Sequence, residues 1–170
     1  MRLQAIGSFF IDTSSVKSPF ANFSGKNPTD RAKRGIKKGI VIDMKRIILS
    51  ITIHAANKHD SKIVLPHVKN LERYLKKPKV LSADAAYDAK SLRKALAEHN
   101  IALKASTNTR RNQSVHRIYS KGRWRIEQIF GIQQWYRGIK TCWNKQHSSF
   151  LALCQFTAAV HNFRLAGIFG

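Results

Sequence analysis

The chain has 170 residues, the size of one ordinary domain and long enough to bury a hydrophobic core. Apolar residues make up 43% of it, which excludes intrinsic disorder for most of the chain. It carries 31 Lys+Arg against 9 Asp+Glu, a formal net charge of +22, and self-repulsion of that size opposes folding. The excess charge therefore indicates a polyanionic partner, with nucleic acid as the first candidate.

The predicted secondary structure begins with strands and continues with alternating strands and helices. The alternation implies parallel strand pairing with right-handed crossovers. We therefore predict one α/β domain over residues 1–170, in which helices flank a mixed five-stranded sheet. In chain order, the predicted elements are a strand at 8–16, a basic loop at 18–39, a hairpin of strands 40–43 and 47–54, a helix from 60 to about 76, a strand at 80–83, a helix from 88 to 99, a strand at 101–105, a basic loop at 106–121, and helices at 122–136 and 148–165.

Cysteine usage and hydropathy exclude secreted and membrane classes. Cys142 and Cys154 have neither metal-ligand spacing nor a disulfide framework, so we interpret them as buried, reduced thiols. The apolar start of the chain ends at Asp12 and is too short for a signal peptide. The apolar run over 150–170 is interrupted by polar residues, which predicts a packing helix with no membrane partner. We therefore expect a basic cytoplasmic protein.

Most of the acidic residues have ordinary structural explanations. Asp60 and Asp88 each precede a predicted helix, where an aspartate serves as an N-cap. Turn chemistry or local charge pairing accounts for Asp30 and Asp43, and solvent-exposed helix faces account for the remaining glutamates before residue 100.

Three acids are less easily explained. Asp12 follows an apolar run that should be buried, where a carboxylate is costly unless it is paired, hydrogen-bonded or bound to a metal. Asp84 lies at the C-terminal end of a predicted strand, the usual place for ligand sites in α/β sheets. Glu127 is the only acid after Glu98, although an ion pair with Arg123 one helical turn earlier would also explain it.

Together, two strand-borne aspartates and a helix-borne glutamate in a basic protein are the groups that two-metal phosphoryl transfer requires. Mg²⁺ prefers hard oxygen ligands and takes the rest of its coordination shell from water and phosphate. Two such ions, about 3.5–4 Å apart, would stabilise the attacking and leaving oxygens of an in-line displacement. Because each acid also has an ordinary explanation, the spacing alone leaves the assignment open.

Five stretches of the chain carry a resemblance to one enzyme family. They are FFIDTSSVKS, SGKNPTDRAKRGIKKG followed by IVID, AANKHDS, LSADAAYDAK and YSKGRWRIEQIFG. In this order they resemble the catalytic domain of bacterial insertion-sequence transposases of the DDE class, in the branch called family five. The resemblance runs from about residue 8 to 165 and implies an RNase H-like fold.

The resemblance implies a role for each matching residue. Asp12 matches the first catalytic aspartate, Asp84 the second and Glu127 the glutamate, and all three would also bind the metal. Tyr119 and Arg123 match a Tyr…Arg…Glu signature, in which Arg123 would meet a DNA phosphate or brace the glutamate. The implied cofactor is a pair of Mg²⁺ ions, for which Mn²⁺ would substitute.

The implied activity is metal-dependent cleavage of phosphodiester bonds at insertion-sequence ends, followed by attack of the freed 3′-OH on target DNA. The partner would be double-stranded DNA, bound by a homo-oligomer in the bacterial nucleoid. Two alternatives stay open. One is an RNase H-like nuclease without strand transfer, and the other is a non-catalytic basic DNA-binding protein derived from a truncated transposase.

Basic residues in two segments are expected to contact the DNA backbone, because clustered Lys and Arg neutralise phosphates without reading sequence. Family members usually carry an N-terminal DNA-binding segment, which we expect to be absent here and to be supplied by the product of an upstream frame. Related families also have a Lys where this chain has Gln134, and its tryptophans would pack or stack on unpaired bases. The predicted DNA-binding residues are Lys26, Arg31, Lys33, Arg34, Lys37 and Lys38, together with Arg110, Arg111, Tyr119 and Arg123.

Overall fold

A computed structural model of the chain describes residues 7–71, 79–105 and 122–168. Strands dominate the first part and helices the last, as the sequence predicts. The elements are β1 (Gly7–Lys17), β2 (Gly25–Lys26), β3 (Arg34–Asp43), β4 (Ile48–Ala55), α1 (Ser61–Leu71), β5 (Lys79–Ala83), a 3₁₀ turn (Ala85–Tyr87), α2 (Lys90–Ala97), β6 (Ile101–Ala105), α3 (Trp124–Gln134), α4 (Arg137–Lys140) and α5 (His147–Leu165).

The strands form one mixed sheet in the order β2-β3-β1-β5-β6, with β4 also paired to β3. β1 runs antiparallel to β3. β5 runs parallel to both of its neighbours, β1 and β6. Phe10 of β1 pairs with Ser82 of β5. Because the two strands are parallel, the residues that follow this pair, Asp12 and Asp84, lie at the same edge of the sheet.

Helices cover both faces of the sheet, which explains the long apolar runs in the central strands. On one face, α3 and α5 pack against a cluster that includes Phe10, Ile40 and Phe150. On the other face, α1 and α2 pack against a cluster that includes Phe9 and Ile11. Successive side chains of a strand alternate between faces, so Asp12 shares the α3 face with Phe10, and its neighbours point to the α1 face.

The predicted α/β architecture is confirmed, but the sheet has six strands and not five. The additional strand is β2, which lies inside the predicted loop 18–39. β3 also begins in that loop, at Arg34 and not at residue 40, because Ile36 is buried in the core between lysine-rich neighbours. The basic composition of this segment concealed a strand, although Gly35, Ile36, Lys38 and Gly39 are buried.

Two smaller predictions are also corrected. α2 begins at Lys90, and Asp88 does not cap it, because its carboxylate binds Arg93 at 2.8 Å. The short helix α4 was not predicted. By contrast, Cys142 and Cys154 are buried free thiols, as expected. No helix in the described parts of the chain combines the length and hydropathy needed to cross a membrane.

His67 of α1 makes the stability of the fold pH-dependent. The imidazole is buried between Ser50 and Thr52 of β4, with hydrogen bonds of 2.7 and 2.9 Å, and burial lowers its pKa to about 3. The unfolded chain binds this proton near pH 6.5, so the free energy of unfolding is highest above that pH and falls as the pH drops towards 3.

We expect urea unfolding at pH 4.5 to show a free energy of unfolding about 2 to 3 kcal/mol below that at pH 7 because of His67. Burial also lowers the pKa of His54, to about 4, which adds to the same trend. A His67→Gln variant cannot take up the proton and should lose less stability between the two pH values. An unchanged difference in that variant would exclude His67 as the source.

Candidate active site

Two predicted site residues lie close together where the pairing of the parallel strands β1 and β5 ends. Asp12 is in β1, and Asp84 is the first residue after β5, where the strand stops. Asp84 caps the 3₁₀ turn, since its Oδ1 accepts a hydrogen bond from the N–H of Ala85 at 2.7 Å. Oδ1 of Asp12 accepts one from the N–H of Thr13 at 2.8 Å. The backbone therefore fixes one oxygen of each carboxylate.

The guanidinium of Arg123 bridges the two carboxylates. Its Nη2 is 3.1 Å from Oδ2 of Asp12, and its Nη1 is 3.0 Å from Oδ1 of Asp84. Arg123 immediately precedes α3, so this contact also joins the helix to the two strands. Because arginine keeps its charge at every accessible pH, one permanent cation is shared between two anions.

A glycine sets the path of the chain that delivers Arg123. Gly122 has a φ of +100°, a conformation that side-chain-bearing residues rarely adopt. A Cβ at this position would lie 3.1 Å from the Phe10 ring and within 2.5 Å of the Arg125 side chain. The absence of a side chain therefore lets the start of α3 lie close to the strand that carries Asp12.

Asp12 is held in a surrounding that disfavours its negative charge. Burial raises the pKa of its carboxyl above the ordinary value, and the nearby Asp84 adds to that effect. The Thr13 N–H and the Arg123 guanidinium act in the opposite direction without fully offsetting burial. A cation placed against Asp12 reduces this cost, because it favours the ionised form of the carboxyl.

Glu127 does not join this pair of aspartates. It lies one turn after Arg123 on α3 and is exposed to solvent, and its carboxylate makes no hydrogen bond or ion pair with another described residue. Within residues 7–71, 79–105 and 122–168, no three His, Cys, Asp or Glu side chains are close enough to hold one metal ion. The interpretation of Glu127 as the ion-pair partner of Arg123 is wrong, because the guanidinium binds the two aspartates.

A further acid, Asp60, contacts β1 from the opposite face of the sheet, and the sequence did not predict this contact. Oδ1 of Asp60 accepts the Thr13 hydroxyl at 2.9 Å and binds Nζ of Lys37 at 2.9 Å. Lys37 also donates to the backbone carbonyl of Lys58 at 3.0 Å. Asp60 was explained as a helix cap, and no local pattern indicated that it would contact the residue after Asp12.

Apart from Arg123, which binds the two aspartates, the predicted DNA-binding residues divide into three groups. Lys26, Arg31, Lys33 and Arg34 are exposed around the turn between β2 and β3, as a contact with DNA requires. Lys37 and Lys38 belong to β3 and not to a loop; Lys37 is bound by Asp60, and Lys38 is only 3% exposed. Arg110, Arg111 and Tyr119 lie outside the described residues.

The three tryptophans are on the surface. Trp124, Trp135 and Trp143 are 51%, 87% and 60% exposed, which excludes the hydrophobic core as their location. Trp143 contacts Phe20, with ring centroids 5.8 Å apart, and the Arg125 guanidinium lies 4.8 Å from the Trp124 ring. Of the two roles considered from the sequence, surface packing accounts for these two contacts, whereas Trp135 has no ring partner in the described part of the chain.

Comparison with known proteins identifies the family. The family model described as "Transposase DDE domain" matches residues 5–163, which is most of the chain. A curated relative from Burkholderia cepacia, named "Putative transposase for insertion sequence element IS402", is 29% identical over 76% of this chain. The chain spans 65% of the length of that relative.

Solved structures support the fold. A chain of the simian T-cell lymphotropic virus intasome in complex with PP2A regulatory subunit B56 gamma aligns with a TM-score of 0.58 and 14% identity, over 88% of this chain and 47% of that one. A chain of a pre-cleavage Mos1 transpososome aligns with a TM-score of 0.53 and 11% identity, over 95% of this chain and 51% of that one. The predicted RNase H-like fold is thereby confirmed.

Proposed function

The chain belongs to the transposase DDE domain family, and we propose that it cuts phosphodiester bonds at the ends of an insertion sequence and transfers the freed strand to target DNA. The observation that carries this proposal is the pair of carboxylates of Asp12 and Asp84, which share a cation where the pairing of the parallel strands β1 and β5 ends. The family-five branch stays a prediction.

The residues fit a divalent metal ion, which DDE transposases use. Asp12 and Asp84 offer hard carboxylate oxygens, and Arg123 already lies between them as a cation that both bind. We propose that these two aspartates hold Mg²⁺ and that Glu127 is the third carboxylate ligand. We also propose that two ions bind and that Mn²⁺ can substitute for Mg²⁺. Such an ion stabilises charge on phosphoryl oxygens and makes bound water more acidic.

The chain's own groups orient the reacting DNA. The N–H groups of Thr13 and Ala85 each hold one carboxylate oxygen, so the remaining oxygens keep a fixed direction. Arg123 offsets the repulsion between the two anions and keeps them together before DNA arrives. A divalent ion held by the two aspartates would leave the N–H groups of Arg123 available to a DNA phosphate. This agrees with the phosphate contact implied by the resemblance.

Binding of double-stranded DNA is proposed to rest mainly on charge. The exposed side chains of Lys26, Arg31, Lys33 and Arg34 support a backbone contact beside the strands that carry the site. We extend the same proposal to Arg110, Arg111 and Tyr119. A homo-oligomer on DNA, and an N-terminal DNA-binding product of an upstream frame, are proposed as partners.

The test is a nicking assay on supercoiled plasmid. We expect nicks that carry 3′-OH ends in Mg²⁺ or Mn²⁺ and none in EDTA. A labelled oligonucleotide with a free 3′-OH should then become joined to the plasmid. Nicking without joining would favour the RNase H-like nuclease. Binding to DNA with no cleavage in either metal would contradict the proposal and favour a non-catalytic DNA-binding protein.

A further inference from the structure

A cavity of about 230 Å³ lies between the C-terminal half of β1, the neighbouring β3, and the helices α3 and α4. Every polar side chain in its lining can donate a hydrogen bond, and none of the described lining residues is acidic. The lining therefore has the chemistry of an anion site. The polar side chains on which the argument depends are those of Ser14, Lys38, Gln134, Lys140 and Thr141.

Lys38 is the unusual member of this lining. It is 3% exposed, and no carboxylate among the described residues lies within ion-pair distance of its ammonium group. Its Nζ lies 5.8 Å from the centroid of the Phe130 ring, and its charge also interacts with the buried thiol of Cys154. Burial lowers the pKa of Lys38 to about 8. A buried cation without a counter-ion is unfavourable, so the fold keeps a group that needs an anion.

The adjacent lysine shows that the chain can supply a counter-ion where one is needed. Lys37 points to the opposite face of the sheet and is paired with Asp60 at 2.9 Å. Lys38 faces the cavity, where Lys140 is the other charged side chain; the side chain of Lys17 follows Val16 and points to the opposite face of the sheet. Both cations therefore line a cavity without an acid, and a ligand can supply the negative charge that the cavity lacks.

The position of the cavity indicates which ligand this is. Ser14 pairs with Lys38 across the sheet and lies two residues after Asp12 on the same face of β1, which is about 7 Å at 3.3 Å per residue. The cavity thus continues from the aspartate pair along the α3 side of the strand. We propose that it binds a backbone phosphate of the DNA strand that lies across Asp12 and Asp84, with Lys38 as the buried counter-ion.

This inference rests on the proposed function, and DNA binding tests it without cleavage. We would measure the affinity for a 20-base-pair duplex in EDTA by fluorescence anisotropy as the salt concentration rises. Lys38→Met keeps the length of the side chain and removes the charge. We expect about tenfold weaker binding and a slope of log K against log salt that is shallower by about 0.9, the contribution of one phosphate.

The matched control is Lys94→Met, because Lys94 is exposed on α2, across the sheet from the cavity. We expect its affinity and slope to equal those of the unaltered chain. Lys38→Met should melt at the same or a higher temperature, since it removes an uncompensated buried charge. If Lys38→Met does not fold, Lys38→Gln serves in its place. A fall in the melting temperature of both Lys38→Met and Lys38→Gln would make Lys38 a structural residue and overturn the proposal.

Two further outcomes separate this inference from its premise. Unchanged affinity and slope in Lys38→Met, with nicking intact in the unaltered chain, would overturn the phosphate site alone. Failure of the unaltered chain to bind DNA would overturn the proposed function as well. Inorganic phosphate, replacing chloride at equal ionic strength, should not raise the melting temperature. A rise that Lys38→Met abolishes, together with unchanged DNA affinity and slope in that variant, would assign the cavity to free phosphate and contradict a DNA contact.

Discussion

Asp12→Asn and Asp84→Asn are each expected to reduce metal-dependent nicking of plasmid DNA by about 10³-fold. Each substitution removes a negative charge from a metal site, and a loss of about 4 kcal/mol of transition-state stabilisation corresponds to that factor. Initial rates in Mg²⁺, measured on supercoiled plasmid, give the comparison. Glu127→Gln should have a similar effect if the proposed third ligand is correct.

The matched control for these variants is Glu98→Gln. It neutralises one exposed carboxylate directly after α2, next to the start of β6 and therefore at the opposite end of the sheet from Asp84. Its nicking rate should equal that of the unaltered chain. DNA affinity in EDTA should be equal or tighter in the aspartate variants, because the surface loses negative charge. A variant that keeps near-normal nicking would remove its residue from the site.

Arg123→Gln is expected to lower the melting temperature in EDTA by about 3 to 6 °C. Asp12 and Asp84 would then face each other without the cation they share, and a loss of about 1 to 2 kcal/mol produces a shift of that size in a chain of this length. The expected shift is modest because the Asp84 side chain is 49% exposed and solvent screens its charge. Thermal unfolding followed by circular dichroism measures the shift.

The same variant should respond more strongly to metal. A divalent ion can replace the missing guanidinium, so Mg²⁺ should raise the melting temperature of Arg123→Gln by more than that of the unaltered chain. The matched control is Arg93→Gln, which breaks the exposed pair with Asp88 and the hydrogen bond to the Leu103 carbonyl, and its response to Mg²⁺ should equal that of the unaltered chain. Equal responses of Arg123→Gln and the unaltered chain to Mg²⁺ would contradict a shared cation position.

Local sequence patterns predicted the elements that carry the site but not the contacts between them. The apolar runs before Asp12 and Asp84 predicted both strands, because strand formation and burial leave a mark on neighbouring residues. Arg123 is 111 residues from Asp12, and nothing near either residue indicates that they meet. The same holds for Asp60, whose helix-cap position disguised its contact with Thr13.

Charge patterns were informative for the whole chain and misleading for single residues. The net charge and the basic segment correctly located an exposed group at the turn between β2 and β3. The same pattern placed Lys37 and Lys38 in a loop, whereas they occupy the two faces of β3. Burial of a lysine depends on which strands lie beside it, and that information is spread over distant parts of the chain.

The bridge made by Arg123 also gives the site an order of completion during protein synthesis. Strands β1 and β5 leave the ribosome before the segment that carries Arg123, so both aspartates are synthesised before the cation that joins them. Without that cation, the two like charges oppose pairing of β1 with β5, and docking of α3 removes that opposition. We therefore expect β1 and β5 to pair stably only after the segment that carries Arg123 has been made, which agrees with domains folding as units.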